Sequence, residues 1–288
     1  MRNVLITGGT GTWGQEITKQ LLGKGVKRII IFSRAERSQE QMKRRFNDKR
    51  IEYVLGDVTN YPRVRKAVRG CDTIFHTAAL KAIPNMEEDC MYGYKINVGG
   101  TDNLVKAAVS NGVKRFVFVG TDKAVNPINA YGLSKAMAEV VVKQAAQRYP
   151  KVNFKIVRSG NVIGSSSSVL HMWKESLQSN NTLKITEPEM TRFFITVEEA
   201  VQGLISSFKA KGVLHANLSK HAKLETLAKV AVQLWGNEDS DIIVIGNRGG
   251  EKLHEQMFSV YEIGRDIYSC DTQEYTVEEL KEIINNEL

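Results

Sequence analysis

Two short strings in this chain are suited to moving protons and hydride. Thr121-Asp122-Lys123 closes an apolar run, and Tyr131-Gly132-Leu133-Ser134-Lys135 follows it as YxxxK. A spacing of four puts Tyr131 and Lys135 on one face of a helix. An ammonium beside a phenol favours the phenolate, so Tyr131 can act as base toward a sugar or alcohol hydroxyl while carbon-bound hydride passes to nicotinamide. YxxxK is common by chance, and alone it reads as a surface Tyr and Lys. Its context is a glycine-rich turn, Thr7-Gly8-Gly9-Thr10-Gly11-Thr12-Trp13-Gly14, with glycines at 8, 11 and 14 directly after the first apolar run. Glycine allows otherwise forbidden dihedrals and a close backbone approach to a pyrophosphate, which a helix amino terminus then stabilises.

Gly8, Thr10, Gly11, Thr12, Trp13 and Gly14 are therefore candidate dinucleotide contacts. An NAD-preferring site would carry an acid at the end of the second apolar run; this chain has Ser33-Arg34 and then Arg37. A guanidinium suits a 2′-phosphate, so the expected cofactor is NADP, against the alternative of a solvated basic loop continuing through Lys43, Arg44 and Arg45. Asp57 can accept from an adenine amino group or cap a helix, and both readings stay open.

The elements that must position these residues are legible as periodicity. Short apolar runs at 3–7, 28–33, 51–55, 73–77, 115–120 and 153–158 are apolar throughout, as expected for strands covered on both faces, and amphipathic helical stretches separate them. The predicted class is α/β, a doubly wound parallel sheet of Rossmann type over residues 1–160. A smaller, interleaved substrate domain is expected over 161–288, with a segment near 191–210 returning to the first domain. Residues 276–285 read as a closing amphipathic helix, and Val140, Val141 and Val142 as core of the YxxxK helix.

Composition excludes other classes. The chain has 288 residues, 42% hydrophobic and 25% charged with 5 prolines, unlike a disordered or collagen-like protein. Cys71, Cys90 and Cys270 form no CxxC pair, and the histidines show no ligand spacing, so no metal is expected and a reducing, cytoplasmic compartment fits. No apolar run approaches membrane-spanning length, and the amino terminus turns to glycine too early for a secretory signal. A net charge of +8 suits nucleic acid, an anionic surface or a nucleotide, without choosing among them.

The chain resembles the extended short-chain dehydrogenases/reductases, and within them the inverting UDP-N-acetylglucosamine 4,6-dehydratases of bacterial surface-glycan synthesis. The resemblance rests on TGGTGTWG at Thr7, FSR at Phe32, GDV at Gly56, HTAALKAIP at His76, TDKAVNPINAYGLSK at Thr121, GNVIGS at Gly160, MTRFFIT at Met190 and RGGEKLHE at Arg248. TDK discriminates best: dTDP-glucose dehydratases carry an acid where this chain has Lys123, and epimerases lack the Asp-Lys pair.

The resemblance implies further cofactor contacts at Val58, Ala78, Ala79, Tyr131 and Lys135. It also implies that Thr121 bonds the reacting hydroxyl, that Lys123 takes the carbon 5 proton of a 4-keto sugar, and that a protonated Asp122 donates to the departing carbon 6 hydroxyl. Lys81 would lie at the site mouth; Asn161, Arg192 and Arg248 would hold the diphosphate of a UDP-sugar and Glu251 its ribose. The expected product is a UDP-4-keto-6-deoxy sugar inverted at carbon 5, with no nucleic-acid or membrane partner and a homo-oligomeric state. The chain departs from the family at Ser166-Ser167, where Arg-Gly is usual, and at Gly249, where Pro is. Two alternatives stand beside this reading, a UDP-sugar 4-epimerase and a non-catalytic NADP-binding module.

Overall fold

The computed structural model describes every residue except Ser166, Ser167 and Arg248. The chain divides into two compact units, Met1–Arg158 with Val201–Ala216, and Ser159–Ala200 with Asn217–Leu288.

The first unit is built on β1 (Asn3–Thr7), β2 (Arg28–Ser33), β3 (Ile51–Leu55), β4 (Thr73–His76), β5 (Arg115–Thr121) and β6 (Asn153–Ser159), joined by Leu214–Asn217 in a seven-stranded sheet. From that last strand the order runs β6, β5, β4, β1, β2, β3, and the pairings from β3 through β2, β1 and β4 to β5 are parallel. The apolar runs explain the layering. Ile29, Ile30, Ile31 and Phe32 of β2 are all buried, as are Val4, Leu5 and Ile6 of β1, because helices cover both faces. These helices are α1 (Thr12–Gly23), α2 (Glu36–Phe46), α3 (Tyr61–Val68), α4 (Ile83–Glu88), α5 (Cys90–Tyr94), α6 (Gly100–Ser110) and α7 (Ala130–Arg148), with a π-helical turn, Lys95–Gly99, leading into α6. The strand order reverses between β1 and β4, where such sheets open a ligand crevice at the carboxyl ends of the strands.

A buried polar chain braces that crevice. The Thr101 hydroxyl donates to Asn97 O, so the His76 ring donates from Nε2 to Thr101 at 3.0 Å and accepts at Nδ1 from Thr7 at 2.8 Å. Burial, with a smaller push from Lys135, holds His76 down to about 3 from 6.5. Folding therefore excludes a proton that the unfolded chain takes up below about pH 6.5. Stability contributed by neutral His76 is full above that pH and is lost toward about pH 3, by at most about 1.4 kcal/mol per pH unit. Urea midpoints measured across that window are expected to show a shallower acid slope for His76→Gln than for the wild type; equal slopes contradict this.

In the second unit, Thr191–Ile195 is the middle strand of a three-stranded sheet, antiparallel to His221–Lys223 and parallel to Asn161–Val162. Thr182–Ile185 pairs with Asp241–Val244. Trp173, Leu177, Leu183, Leu227, Val230, Leu280 and Ile284 form its core. The closing helix spans Val277–Glu287, with Thr276 and Glu279 in a reciprocal capping box.

Two expectations are corrected. The segment clustering with the first unit is Val201–Ala216, not 191–210, because Thr191–Ile195 is committed to the other sheet by its pairings. Val140 is exposed at 41%, whereas Val142 is fully buried, since the three consecutive valines of α7 cannot share one helical face.

Candidate active site

The glycine turn leaves β1 at Thr7 and enters α1 at Thr12. Gly8 adopts φ 64°, and a Cβ there would sit 2.8 Å from Ala78 N; a Cβ on Gly14 would sit 2.4 Å from Gly9 Cα. Glycine at both positions lets the turn lie against Ala78 and lets α1 begin directly over it. Gln15 donates to Thr10 O at 2.9 Å and secures the turn. The start of α1 has no side-chain cap and no acid in its first turn, so the positive end of its dipole favours an anion there. Thr10, Thr12 and Trp13 are half-buried around this cradle, and Gly11 is exposed. The arrangement fits a dinucleotide pyrophosphate.

At the ends of β2 and β3 the predicted adenosine contacts meet. Arg34 lies 3.5 Å from Asp57 and donates to the Tyr92 hydroxyl at 3.0 Å. Burial works against the charged form of Asp57, but the Thr59 backbone and hydroxyl, with Arg34, hold its carboxyl below the usual range. Ser33 is buried and fixed by Gln39 at 3.0 Å; Arg37 is exposed in the first turn of α2. Val58 is buried against Gly100; in the loop after β4 Ala78 is half-buried and Ala79 is exposed.

The end of β5 turns sharply into a 3-10 turn, Asp122–Ala124. Thr121 Oγ1 donates to Asp122 Oδ1 at 3.0 Å, and Lys123 Nζ donates to the same oxygen at 3.1 Å. Asp122 is fully buried and the Lys123 side chain is 18% exposed, so this is not the solvated loop pair that an Asp-Lys string usually forms.

The first turn of α7 is fixed by Asn129, whose Oδ1 accepts from Gly132 N at 2.7 Å. Tyr131 is half-buried on the second residue of the helix, one turn before Lys135. Lys135 is buried, donates to Val119 O at 2.7 Å and stands 3.8 Å over the Phe118 ring. Burial lowers its ammonium to about 7, against an upward pull from Glu139. Lys81 lies on the exposed loop after β4, where partial desolvation of its ammonium holds it below the usual lysine range.

Sequence reasoning missed Asn97. From the π-helical turn its amide clamps Leu80 N and O at 2.8 and 2.9 Å and reaches Ser134 Oγ at 2.9 Å, and Ser134 donates to Tyr131 O at 2.8 Å. One buried amide thus ties the Lys81 loop to the Tyr131 helix. An Asn in mid-helix directly before Val-Gly-Gly was the available signal, because Asn is a poor helix former unless its side chain has work elsewhere. The buried Glu139–Arg158 ion pair was missed too.

In the second unit Arg192 is 9% exposed, donates to Thr191 O and Leu253 O at 2.8 and 3.2 Å, and lies 3.9 Å from Glu255. Asn161 is half-buried at the start of its short strand, and Glu251 is half-buried in the loop two residues before Leu253. Arg248 falls outside the described residues, as does the Ser166-Ser167 departure. Among the described residues no group of three or more His, Cys, Asp or Glu could hold a metal ion, and no helix is long and apolar enough to cross a membrane.

The chain is similar to proteins of known sequence and structure along nearly its whole length. It is 38% identical over 272 residues to the UDP-glucose 4-epimerase of Rickettsia bellii, covering 92% of this chain and 80% of that protein. The structure of Pen from Bacillus thuringiensis superposes with a TM-score of 0.94 at 29% identity, covering 99% and 97% of the two chains. DesIV, a dTDP-glucose 4,6-dehydratase of Streptomyces venezuelae solved with NAD bound, gives 0.83 at 20% identity over 98% and 96%, a likeness of fold alone. Residues 4–274 match the polysaccharide biosynthesis protein family, and with a glycine turn, a TDK strand end and a YxxxK helix all on the expected elements of a Rossmann-like sheet, the chain belongs to that family.

Proposed function

We propose that this chain is an NADP-dependent dehydratase of a UDP-N-acetylhexosamine, UDP-N-acetylglucosamine favoured, giving a UDP-4-keto-6-deoxy sugar with inversion at carbon 5. The carrying observation is the buried Asp122–Lys123 pair beside Thr121. Bound on the glycine cradle, a nicotinamide dinucleotide supplies the two-electron acceptor that turns carbon 4 into a ketone and the donor that later reduces carbon 6. The chain's residues do the proton work. Thr121 orients the carbon 4 hydroxyl and Tyr131 takes its proton, with the Lys135 ammonium stabilising the phenolate.

The new ketone acidifies the carbon 5 proton. Lys123 as free amine takes that proton, the carbon 6 to oxygen bond breaks, and Asp122 as carboxylic acid protonates the leaving oxygen to water. An amine with a carboxylic acid carries the same number of protons as an ammonium with a carboxylate. One elimination therefore converts the neutral pair into the ion pair, and transfer across the 3.1 Å between Lys123 Nζ and Asp122 Oδ1 restores it. The enolate left by reduction at carbon 6 takes a solvent-derived proton at carbon 5 on the opposite face, which inverts that centre, and the proton held by Tyr131 returns to solvent. Arg34 and Arg37 support NADP by their place at the end of β2, and Arg192, Asn161, Arg248 and Glu251 are the proposed UDP contacts. Three free thiols fit a cytoplasmic enzyme, which we take to be a homo-oligomer.

A second reading, a UDP-sugar 4-epimerase, is favoured by the name of the Rickettsia relative. Incubation with UDP-N-acetylglucosamine and UDP-glucose in heavy water separates the two. Dehydration is expected to give a product lighter by one water, with solvent deuterium at carbon 5; an isomeric product that retains the carbon 6 hydroxyl would sink the dehydratase reading.

A further inference from the structure

The Tyr131 stripe of α7 continues past Lys135. Tyr131, Lys135 and Glu139 succeed one another at intervals of four and share a helix face. Glu139 is held by Arg158 of β6, whose Nε donates to Oε1 at 3.0 Å and to Oε2 at 3.2 Å and whose Nη2 donates to Oε2 at 2.7 Å. Both side chains are nearly inaccessible, at 2% and 3%. They cross directly over Gly120, where a Cβ would sit 2.8 Å from Glu139 Oε1 and 3.0 Å from Arg158 Cγ. Lys135 leans on the preceding residues of the same strand, Val119 and Phe118. Helix spacing and these contacts thus set Arg158, Glu139, Lys135 and Tyr131 in succession along β5 and one face of α7, with the first three alternating in charge.

Resting on the reading of Tyr131 as the base, we infer that the Glu139–Arg158 pair is a positioning device for that base: Glu139 sets Lys135 against β5, and Arg158 holds Glu139 in place. A buried ion pair rarely contributes more to stability than apolar packing would, so stability alone is a weak account of it. The groups that act electrostatically with Lys135 include Glu139 on α7 and His76 on β4. Of these Glu139 raises the ammonium, in opposition to burial.

The working state, phenolate with ammonium, has the same proton count as phenol with free amine. Removing the Glu139 charge shifts that internal balance toward phenol. The first proton then leaves Lys135 more easily, and the phenolate forms later.

The test is an ultraviolet difference titration of the cofactor-free protein against Tyr131→Phe, paired with pH profiles of turnover. In Glu139→Gln the Tyr131 phenolate is expected to appear about one pH unit higher, and the plateau rate to fall about tenfold with its acid limb moved to lower pH. Glu139→Asp is expected to restore much of both. Should Glu139→Gln leave Arg158 too costly to bury and fail to fold, the double variant Glu139→Gln/Arg158→Gln carries the same expectation without an unpaired charge. A phenolate titration and rate profile superimposed on the wild type in the folded variant overturn the inference. Full activity in Tyr131→Phe overturns the reading beneath it and the inference with it.

Discussion

Tyr131→Phe is expected to lower turnover of the nucleotide sugar about 10³-fold, the middle of the range for loss of a positioned general base. The ring is kept and only the hydroxyl goes, so the packing of α7 on its neighbours is preserved. The helix start is fixed independently, by Asn129 at Gly132 N and by Ser134 at the Tyr131 carbonyl, and neither bond involves the phenol. A urea midpoint within error of the wild type is therefore expected beside the lost rate. Dinucleotide affinity is expected to stay close to normal, since the glycine cradle is formed by β1, α1 and the Ala78 loop. The effect should fall on kcat, because proton removal belongs to the transition state and not to ground-state binding. Turnover within about tenfold of the wild type would assign the base elsewhere.

How much of this was legible in the sequence depends on distance along the chain. The strands 3–7, 28–33 and 51–55 were read at their observed bounds, because a continuous apolar run flanked by turn residues is a local signal. The glycine turn was equally local: its three glycines act on contacts within the turn and with one neighbouring loop. YxxxK carried its own geometry, since helix periodicity alone aligns Tyr131 with Lys135. What periodicity could not supply is environment. Asp122-Lys123 is the same string whether solvated or buried, and only tertiary packing removes Asp122 from water. Glu139 and Arg158 are 19 residues apart on different elements, and Arg34 reaches Tyr92 across 58. The strand Leu214–Asn217 lies beyond the expected 191–210 return; its four residues are only half-buried, and an alternation as short as Leu-His-Ala-Asn is a weak strand signal. Val140 misled for the converse reason, as an apolar residue in an apolar triplet that helix geometry turns to solvent.

On the dehydratase reading, the Asp122–Lys123 pair is what separates dehydration from epimerisation, so its removal should change the outcome of the reaction as well as its speed. Lys123→Ala alone is a poor instrument: it would leave Asp122, fully buried, without its ion-pair partner, a loss that costs about 3–5 kcal/mol in other proteins. The double variant Asp122→Asn/Lys123→Gln keeps two side chains of similar size, both neutral and both able to hydrogen-bond, and leaves Thr121 with an acceptor. Neither amide can take a proton from carbon 5 or deliver one to a leaving hydroxide. Loss of both the acid and the base should therefore lower water elimination by about 10²–10⁴-fold, along with exchange of the carbon 5 hydrogen into heavy water. Tyr131, Lys135 and Thr121 remain, so the variant should still remove hydrogen from carbon 4 of the sugar, detectable as deuterium passed from a carbon 4 deuterated substrate to the nicotinamide cofactor. Elimination gone and carbon 4 chemistry retained is the signature of a pair dedicated to the second half of the reaction. Loss of both activities in a folded variant would instead make the pair a structural prop for Thr121. Undiminished release of water would remove it from the chemistry, and the epimerase reading would then have the better claim on the site.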